Sequence, residues 1–321
     1  MEIDSTSKIN IEKKMKEIGI AEYGFVSAEP FIGYADFVIK HHKDFATYFD
    51  IGYNKSMDEK EFYAPREHLE YAKSVIPVIL PYHMDKTNKS DKNDNMYRIS
   101  KATIFRDYHY LMQEKMAKLL DCIENECQGR GIAFCDTGPL NDKAVLLRTG
   151  KFKVLNNSLL WHKHYGSRFY IGYIITDLLL SNDNDSAAYK ELFHPFCKTC
   201  GKCAAACPNG AINDHGHLNS KKCISFLTQS KEWEELEGLT LNGYVYGCDI
   251  CQMVCPLNGV NLASEFKYQA LIPERINIED IDQLTNRQFR NIYGKSSAGW
   301  IGKKRFIRNM IENKRQYSEI K

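Results

Sequence analysis

The chain has 321 residues, 43% of them hydrophobic, with a formal net charge of +2 and eleven cysteines. That length holds two or three domains with their own cores, and no apolar run approaches the ~20 residues of a membrane helix. The near-neutral total excludes a nucleic-acid binder built on bulk charge, and the start, Met1-Glu-Ile-Asp-Ser-Thr, lacks the basic-then-apolar pattern of an export signal. The expectation is a cytoplasmic, monomeric protein with no membrane partner, in which cysteines serve metal rather than disulfides.

Residues 9–18 place Ile9, Ile11, Met15 and Ile18 on one side of a helix. Residues 74–80, Ser-Val-Ile-Pro-Val-Ile-Leu, read as a buried strand ending at Pro81. Residues 84–97 are polar and mixed in charge, the composition of a loop. A helical period of Leu111, Met112, Met116, Leu119, Leu120 and Ile123 predicts a helix over 108–128, stopped by Gly129 and Gly131. Cys122 and Cys127 fall on it as small apolar residues.

A short strand over 132–135 then runs into Asp136-Thr-Gly-Pro139, a helix over 142–148 stops at Gly150, and 168–176 is another strong strand. Residues 181–186 form a polar linker. The fold class expected is α+β. An N-terminal α/β domain spans 1–186, a ferredoxin-like double-cluster domain 187–265, and a basic helical segment 266–321. From 287 to 315 there are nine Lys/Arg and one acid, Glu312, a segment suited to an acidic partner.

The run Cys197-Lys-Thr-Cys200-Gly-Lys-Cys203-Ala-Ala-Ala-Cys207-Pro208 has the C-x2-C-x2-C-x3-C-P spacing of a two-cube ferredoxin, in which the fourth cysteine serves the other cluster. Cys248, Cys251 and Cys255-Pro256 supply a second half, and Cys223 is the nearby candidate for its missing ligand. One cube therefore takes Cys197, Cys200, Cys203 and Cys255; the other takes Cys207, Cys223, Cys248 and Cys251. Paired zinc sites also use C-x2-C, but eight cysteines in crossed spacing exceed what zinc knuckles need. Two [4Fe-4S] clusters imply one-electron transfer at low potential and an external low-potential donor. His162/His164 and His215/His217 form two H-x-H pairs without a third ligand nearby, so a surface or loop role is expected of them.

The insertion Cys223-Ile-Ser-Phe-Leu-Thr228, the second-half opening Tyr246-Gly-Cys-Asp-Ile-Cys-Gln252, Arg106-Asp-Tyr-His109, Asp136-Thr-Gly-Pro139, and Ala298-Gly-Trp-Ile-Gly-Lys-Lys304 with Arg308-Asn309 come in one order. In that order the chain resembles, over roughly residues 10–310, the epoxyqueuosine reductases, cobalamin-dependent tRNA-modifying enzymes related to reductive dehalogenases. The resemblance implies that the N-terminal domain is of a cobalamin-binding type. Electrons would pass through the two cubes to cobalamin, which removes the epoxide oxygen of epoxyqueuosine in tRNA. It implies tRNA as partner, Asp136 as proton donor, and corrin contacts at Ser225, Cys248 and Asp249. Tyr108 and His109 occupy a matching motif ahead of a helix. Burial at the end of an apolar strand is expected to make Asp136 a usable acid near neutral pH; its other reading is a turn cap.

Two stretches depart from the family pattern. Where the family has Gly-Trp-Ile-Gly-Lys-Asn, this chain has Lys151-Phe-Lys-Val-Leu-Asn-Asn157, and bulky residues replace glycines that permit close backbone approach. Residues 236–243 carry no Lys or Arg in a region that touches tRNA in the family. These departures are those of a divergent paralogue. They keep open a non-catalytic electron-transfer protein and a corrinoid-dependent reductase of a small molecule.

Overall fold

The computed structural model describes residues 2–31, 33, 63–82, 96–181, 192–213, 218–231, 238–259 and 268–319. Most of the expected loop over 84–97, the linker beyond Ser181, and His215 and His217 lie outside them. The helices in chain order are α1 (Ser5–Glu17), α2 (Tyr108–Asp121), α3 (Asp142–Arg148), α4 (Cys197–Cys200), α5 (Lys202–Ala206), α6 (Ile224–Gln229), α7 (Ile250–Met253), α8 (Ile278–Asp282), α9 (Asn286–Tyr293) and α10 (Gly302–Glu319). The strands are β1 (Glu22–Tyr23), β2 (Val26–Ser27), β3 (Ser74–Pro81), β4 (Tyr97–Ile99), β5 (Gly131–Cys135), β6 (Phe152–Val154), β7 (Leu160–His162), β8 (Phe169–Thr176), β9 (Tyr244–Tyr246) and β10 (Arg275–Ile276).

The chain folds as two compact units that are not consecutive stretches. The first holds Met1–Pro81, His109–Leu155 and Leu159–Cys197; the second holds Tyr82–Tyr108, Asn156–Ser158 and Lys198–Lys321. The basic C-terminal segment thus shares a unit with most of the cysteine module.

The first unit is built on an antiparallel sheet in the order β1-β3-β8-β5, with β2 also pairing β3. All eight residues of β3 are buried, because strands cover both its edges and side chains both its faces. Proline is rare in a central strand because it lacks an N–H. Pro77 is tolerated because its carbonyl side faces Gly24, in the gap between β1 and β2. The core gathers Val75, Ile79, Tyr173 and Ile175 with Val145, Leu146 and Leu147 of α3. Asn141 caps α3, its side-chain oxygen accepting from the N–H groups of Lys143 and Ala144. The helix expected over 108–128 is α-helical only to Asp121; a π-turn, Cys122–Glu126, follows, and Gln128 with φ of 56° ends it.

The second unit has a three-stranded sheet in the order β10-β4-β9, with β4 and β9 parallel. β9 is an edge strand, whose free backbone groups need partners. α10 supplies them. Asn313 Oδ1 accepts from the Gly243 N–H and its amide donates to the Tyr244 carbonyl, while the Asn309 amide donates to the Val245 carbonyl. Phe306 and Met310 of the same helix are fully buried against Tyr97, Ile99 and Phe289. No helix among the described residues is long and apolar enough to cross a membrane.

Candidate active site and cluster centre

Electrostatic influence links Cys248 to Cys223 and Cys207, and Cys251 to Cys248, Cys223 and Cys203, while among the described residues no three His, Cys, Asp or Glu side chains converge closely enough to hold a metal ion. Cys207, Cys223 and Cys248 sit at turns that aim backbone N–H groups at the sulfur. Cys223 is the N-cap of α6, where the N–H groups of Ser225 and Phe226 point at its thiol. The Ala211 N–H lies 3.3 Å from Cys207 Sγ, and the Ile250 N–H points at Cys248. Burial pushes the Cys248 thiol up to about 12, and burial beside the neighbouring sulfurs raises Cys223 and Cys251 as well. A bound metal would deprotonate such thiols outright. Soft sulfur donors with N–H groups aimed at them fit an iron–sulfur cube.

Of the other four cysteines, Cys197 and Cys200 bound α4, Cys203 lies in α5 and Cys255 precedes Pro256. Gly201, at φ of 59°, makes the left-handed turn between α4 and α5. α5 packs on α7, so the two halves of the module lie against each other, and Cys203 lies close enough to Cys251 to influence it.

Asp249 is buried. Its carboxylate accepts from Ser100 Oγ at 2.5 Å and from the Lys101 N–H at 2.9 Å, which ties the Cys248–Cys251 turn to the end of β4. Ser225 lies at the second position of α6, its hydroxyl 3.4 Å from the Gln229 amide. Asn157 escaped the sequence reading; its side chain reaches the Cys251 thiol. The polar run Asn156-Asn157-Ser158 signals a turn, but nothing in it points to a sulfur.

In the first unit, Asp136 ends β5 in a three-residue turn. The Thr137 N–H donates to the Cys135 carbonyl at 2.7 Å, and Asp136 has φ of 60°. This is the rare positive-φ γ-turn, strained for a residue with a side chain. The Asp136 carboxylate lies 3.4 Å from His109 Nε2 at the start of α2, and its side chain is 47% exposed. The burial expected of Asp136 falls instead on Asp142, six residues on. Asp142 Oδ1 is sealed from solvent without a hydrogen-bond partner among the described residues, and burial, then the nearby Asp136, raises its carboxyl well above the usual range. A cavity of about 290 Å³ lined by His109, Gln113, Met116, Phe134, Cys135 and Thr137 opens beside the turn.

The altered stretch also lies partly here. Phe152 is 2% exposed and Leu155 1% exposed, and Phe152 packs on His162 and Phe169. His162, expected in a surface or loop role, is buried on β7 and pairs with Glu22 at 3.2 Å, which also takes Lys151 at 2.6 Å. Glu22 thus joins the buried His162 to the partly exposed Lys151, and His164 is exposed.

Residues 63–137 match the family described as epoxyqueuosine reductase QueG, DUF1730, and residues 196–258 match the 4Fe-4S double cluster binding domain. The chain is 31% identical over 306 residues to the epoxyqueuosine reductase of Bacillus subtilis (strain 168), across 92% of this chain and 75% of that protein. The chain belongs to the epoxyqueuosine reductase family. It is an oxidoreductase with a double 4Fe-4S domain. A solved epoxyqueuosine reductase with a tRNA-Tyr epoxyqueuosine-modified stem loop shares 29% identity at a TM-score of 0.80, over 96% of this chain and 81% of that one. The same identity, TM-score and coverage hold for an epoxyqueuosine reductase from Bacillus subtilis whose catalytic aspartate loop is swung out of the active site.

Proposed function

We propose that this chain reduces epoxyqueuosine to queuosine in tRNA, with Asp136 as proton donor and the eight clustered cysteines holding two [4Fe-4S] cubes. The observation that carries the reading is the Asp136 turn. A carboxyl is presented half-exposed at the apex of a strained turn, beside an imidazole, at the end of the strand where the family's order of motifs puts its acid. Strain of this kind persists where surrounding structure imposes it, and it clusters at functional sites.

Removing the epoxide oxygen as water takes two electrons and two protons. Cobalamin, when bound, supplies the two-electron reduced cobalt centre for that cleavage. The residues present are compatible with it. Phe152 and Leu155, which stand where the family has small residues, turn into the protein core rather than outward. Asp136 delivers a proton from its carboxyl to the leaving oxygen, a role that general acids fill with gains of about 10²–10⁴. His109 Nε2, 3.4 Å away, is placed to orient that carboxyl and pass it a proton. The N–H donors at Cys207, Cys223 and Cys248 would favour reduction of a bound cube, which supplies electrons one at a time. An external low-potential donor supplies those electrons. On this reading the enzyme works as a monomer in the cytoplasm, where its tRNA is found. The basic segment contributes phosphate contacts, although Arg305 and Arg308 already spend donors on the carbonyls of Gln229, Ser230 and Lys231.

The test is turnover of epoxyqueuosine-containing tRNA by anaerobically reconstituted protein supplied with cobalamin and a chemical reductant. The wild type is expected to show two cubes by EPR, corrinoid absorbance bands and product. D136N is expected to keep both cofactors and lose at least ~100-fold in rate. Protein that holds two cubes but neither retains a corrinoid nor turns over refutes the reading, and a fully active D136N refutes the donor assignment.

A further inference from the structure

The Asp136 turn does not hold itself. Between Cys135, fixed in β5, and Asn141, fixed as the cap of α3, the chain crosses five residues that lie in no helix or strand. Its apex is at positive φ, a conformation that relaxes unless something over-determines it. What lies under it is Tyr173 of β8.

Tyr173 is fully buried. It stands opposite Phe134 in the β5–β8 register, the two rings 5.4 Å apart. From that position its hydroxyl rises to the loop and accepts the Leu140 N–H at 2.8 Å. The loop backbone also rests directly on the hydroxyl. A Cβ built on Gly138 would fall 2.2 Å from the Tyr173 oxygen and 2.6 Å from Phe134 Cβ. Contact this close requires glycine at 138. Tyr173, in the middle of β8, thus has its one polar atom placed two residues from the proton donor's turn and away from solvent.

We propose that Tyr173 is the positioning residue for the proton donor: its hydroxyl, seated against Gly138 and bonded to Leu140, latches the 136–141 loop so that Asp136 is held in its strained, presenting conformation. This inference rests on the reading of Asp136 as donor. The latch itself is a statement about loop geometry and is measurable without turnover.

The experiment compares full-length, cluster- and cobalamin-loaded wild type with Y173F, G138A and D136N. Hydrogen exchange of the peptides covering 136–148 is followed by mass spectrometry, alongside turnover of epoxyqueuosine-containing tRNA. Y173F keeps the ring and loses the acceptor. Exchange at Thr137, Gly138, Leu140 and Asn141 is expected to accelerate about tenfold, the population change that one buried hydrogen bond commands. The strand amides of β5 and β8 should stay as in wild type, kcat should fall about tenfold, and KM for the tRNA should stay within about twofold, with unchanged cluster and corrinoid spectra. A structural role alone would move strand exchange and cofactor content together.

G138A lifts the loop with the tyrosine intact and is expected to show the same local acceleration, which keeps the test alive if Y173F folds poorly. Loop exchange in Y173F and G138A indistinguishable from wild type overturns the latch; accelerated loops with a normal kcat in both, where D136N is inactive, overturn its role in positioning the donor. A fully active D136N overturns the donor reading instead, and the exchange data still decide whether Tyr173 holds the loop.

Discussion

Asn309 offers the sharpest test of how the cluster module is held from behind. It is fully buried on α10, and its amide donates hydrogen bonds of 2.8 Å to the carbonyls of both Thr228 and Val245. Thr228 lies in α6, which Cys223 caps; Val245 lies in β9, three residues ahead of Cys248. One side chain therefore ties together the segments that present two neighbouring sulfurs. In N309L both carbonyls lose their donor inside the protein. At about 1–3 kcal/mol for each unsatisfied buried group, the loss is about 3 kcal/mol, which lowers Tm by roughly 6–12 °C in a unit of this size. N309D preserves shape, but a carboxylate cannot donate and sets negative charge against the same carbonyls, so it falls further. Anaerobic differential scanning fluorimetry gives Tm, and decay of the visible cluster absorbance in air gives cluster lifetime. The expected order in both is wild type, N309L, N309D. N309D with wild-type Tm and cluster lifetime refutes the reasoning.

The Glu22 carboxyl is raised by burial, but hydrogen bonds from His162 and Lys151 outweigh this and hold it at about 2, against an ordinary 4.5. A lowered acid stabilises above its unfolded pKa and loses that contribution as pH falls through its folded value. Wild type should therefore exceed E22Q by at most about 3 kcal/mol at pH 7, with the gap closing between 4.5 and about 2. Acid unfolding followed by far-UV circular dichroism reads this, and a gap that does not depend on pH refutes it. F152A should cost about 3–5 kcal/mol, as for a buried aromatic cut to alanine, and leave corrinoid binding unchanged. Wild-type Tm with tighter corrinoid binding would instead put Phe152 in a ligand pocket.

The elements that read well were those whose pattern is local. The helix over 142–148 is observed at those residues because an Asn cap and a following glycine bracket it. The strand over 168–176 is observed from 169, because its apolar run is uninterrupted. Cysteine spacing identified the module because ligand geometry constrains sequence separation directly, and residues 196–258 match the 4Fe-4S double cluster binding domain. What escaped depends on contacts distant in sequence. The division into units follows returns of the chain that no local composition marks. Asn157 reaches Cys251 across 94 positions, and Tyr173 reaches Leu140 across 33. The burial expected of Asp136 was misplaced for a related reason. A γ-turn throws the side chain at its apex outward, and strand hydrophobicity does not predict a turn of that kind.

The replaced glycines at first argue for a lost cofactor pocket, but the structure divides that stretch in a way that weakens the argument. Its first part, Phe152 to Leu155, belongs to the first unit; Phe152 and Leu155 are buried and the backbone forms a hairpin closed by the Leu155 N–H on the Leu159 carbonyl. Its last part, Asn156–Ser158, groups with the second unit, and there Asn157 reaches a cluster-side sulfur. The bulky side chains of Phe152 and Leu155 thus complete a core, which rewards apolar volume. Asn157, which reaches Cys251, is small and polar, and its amide can serve a thiolate.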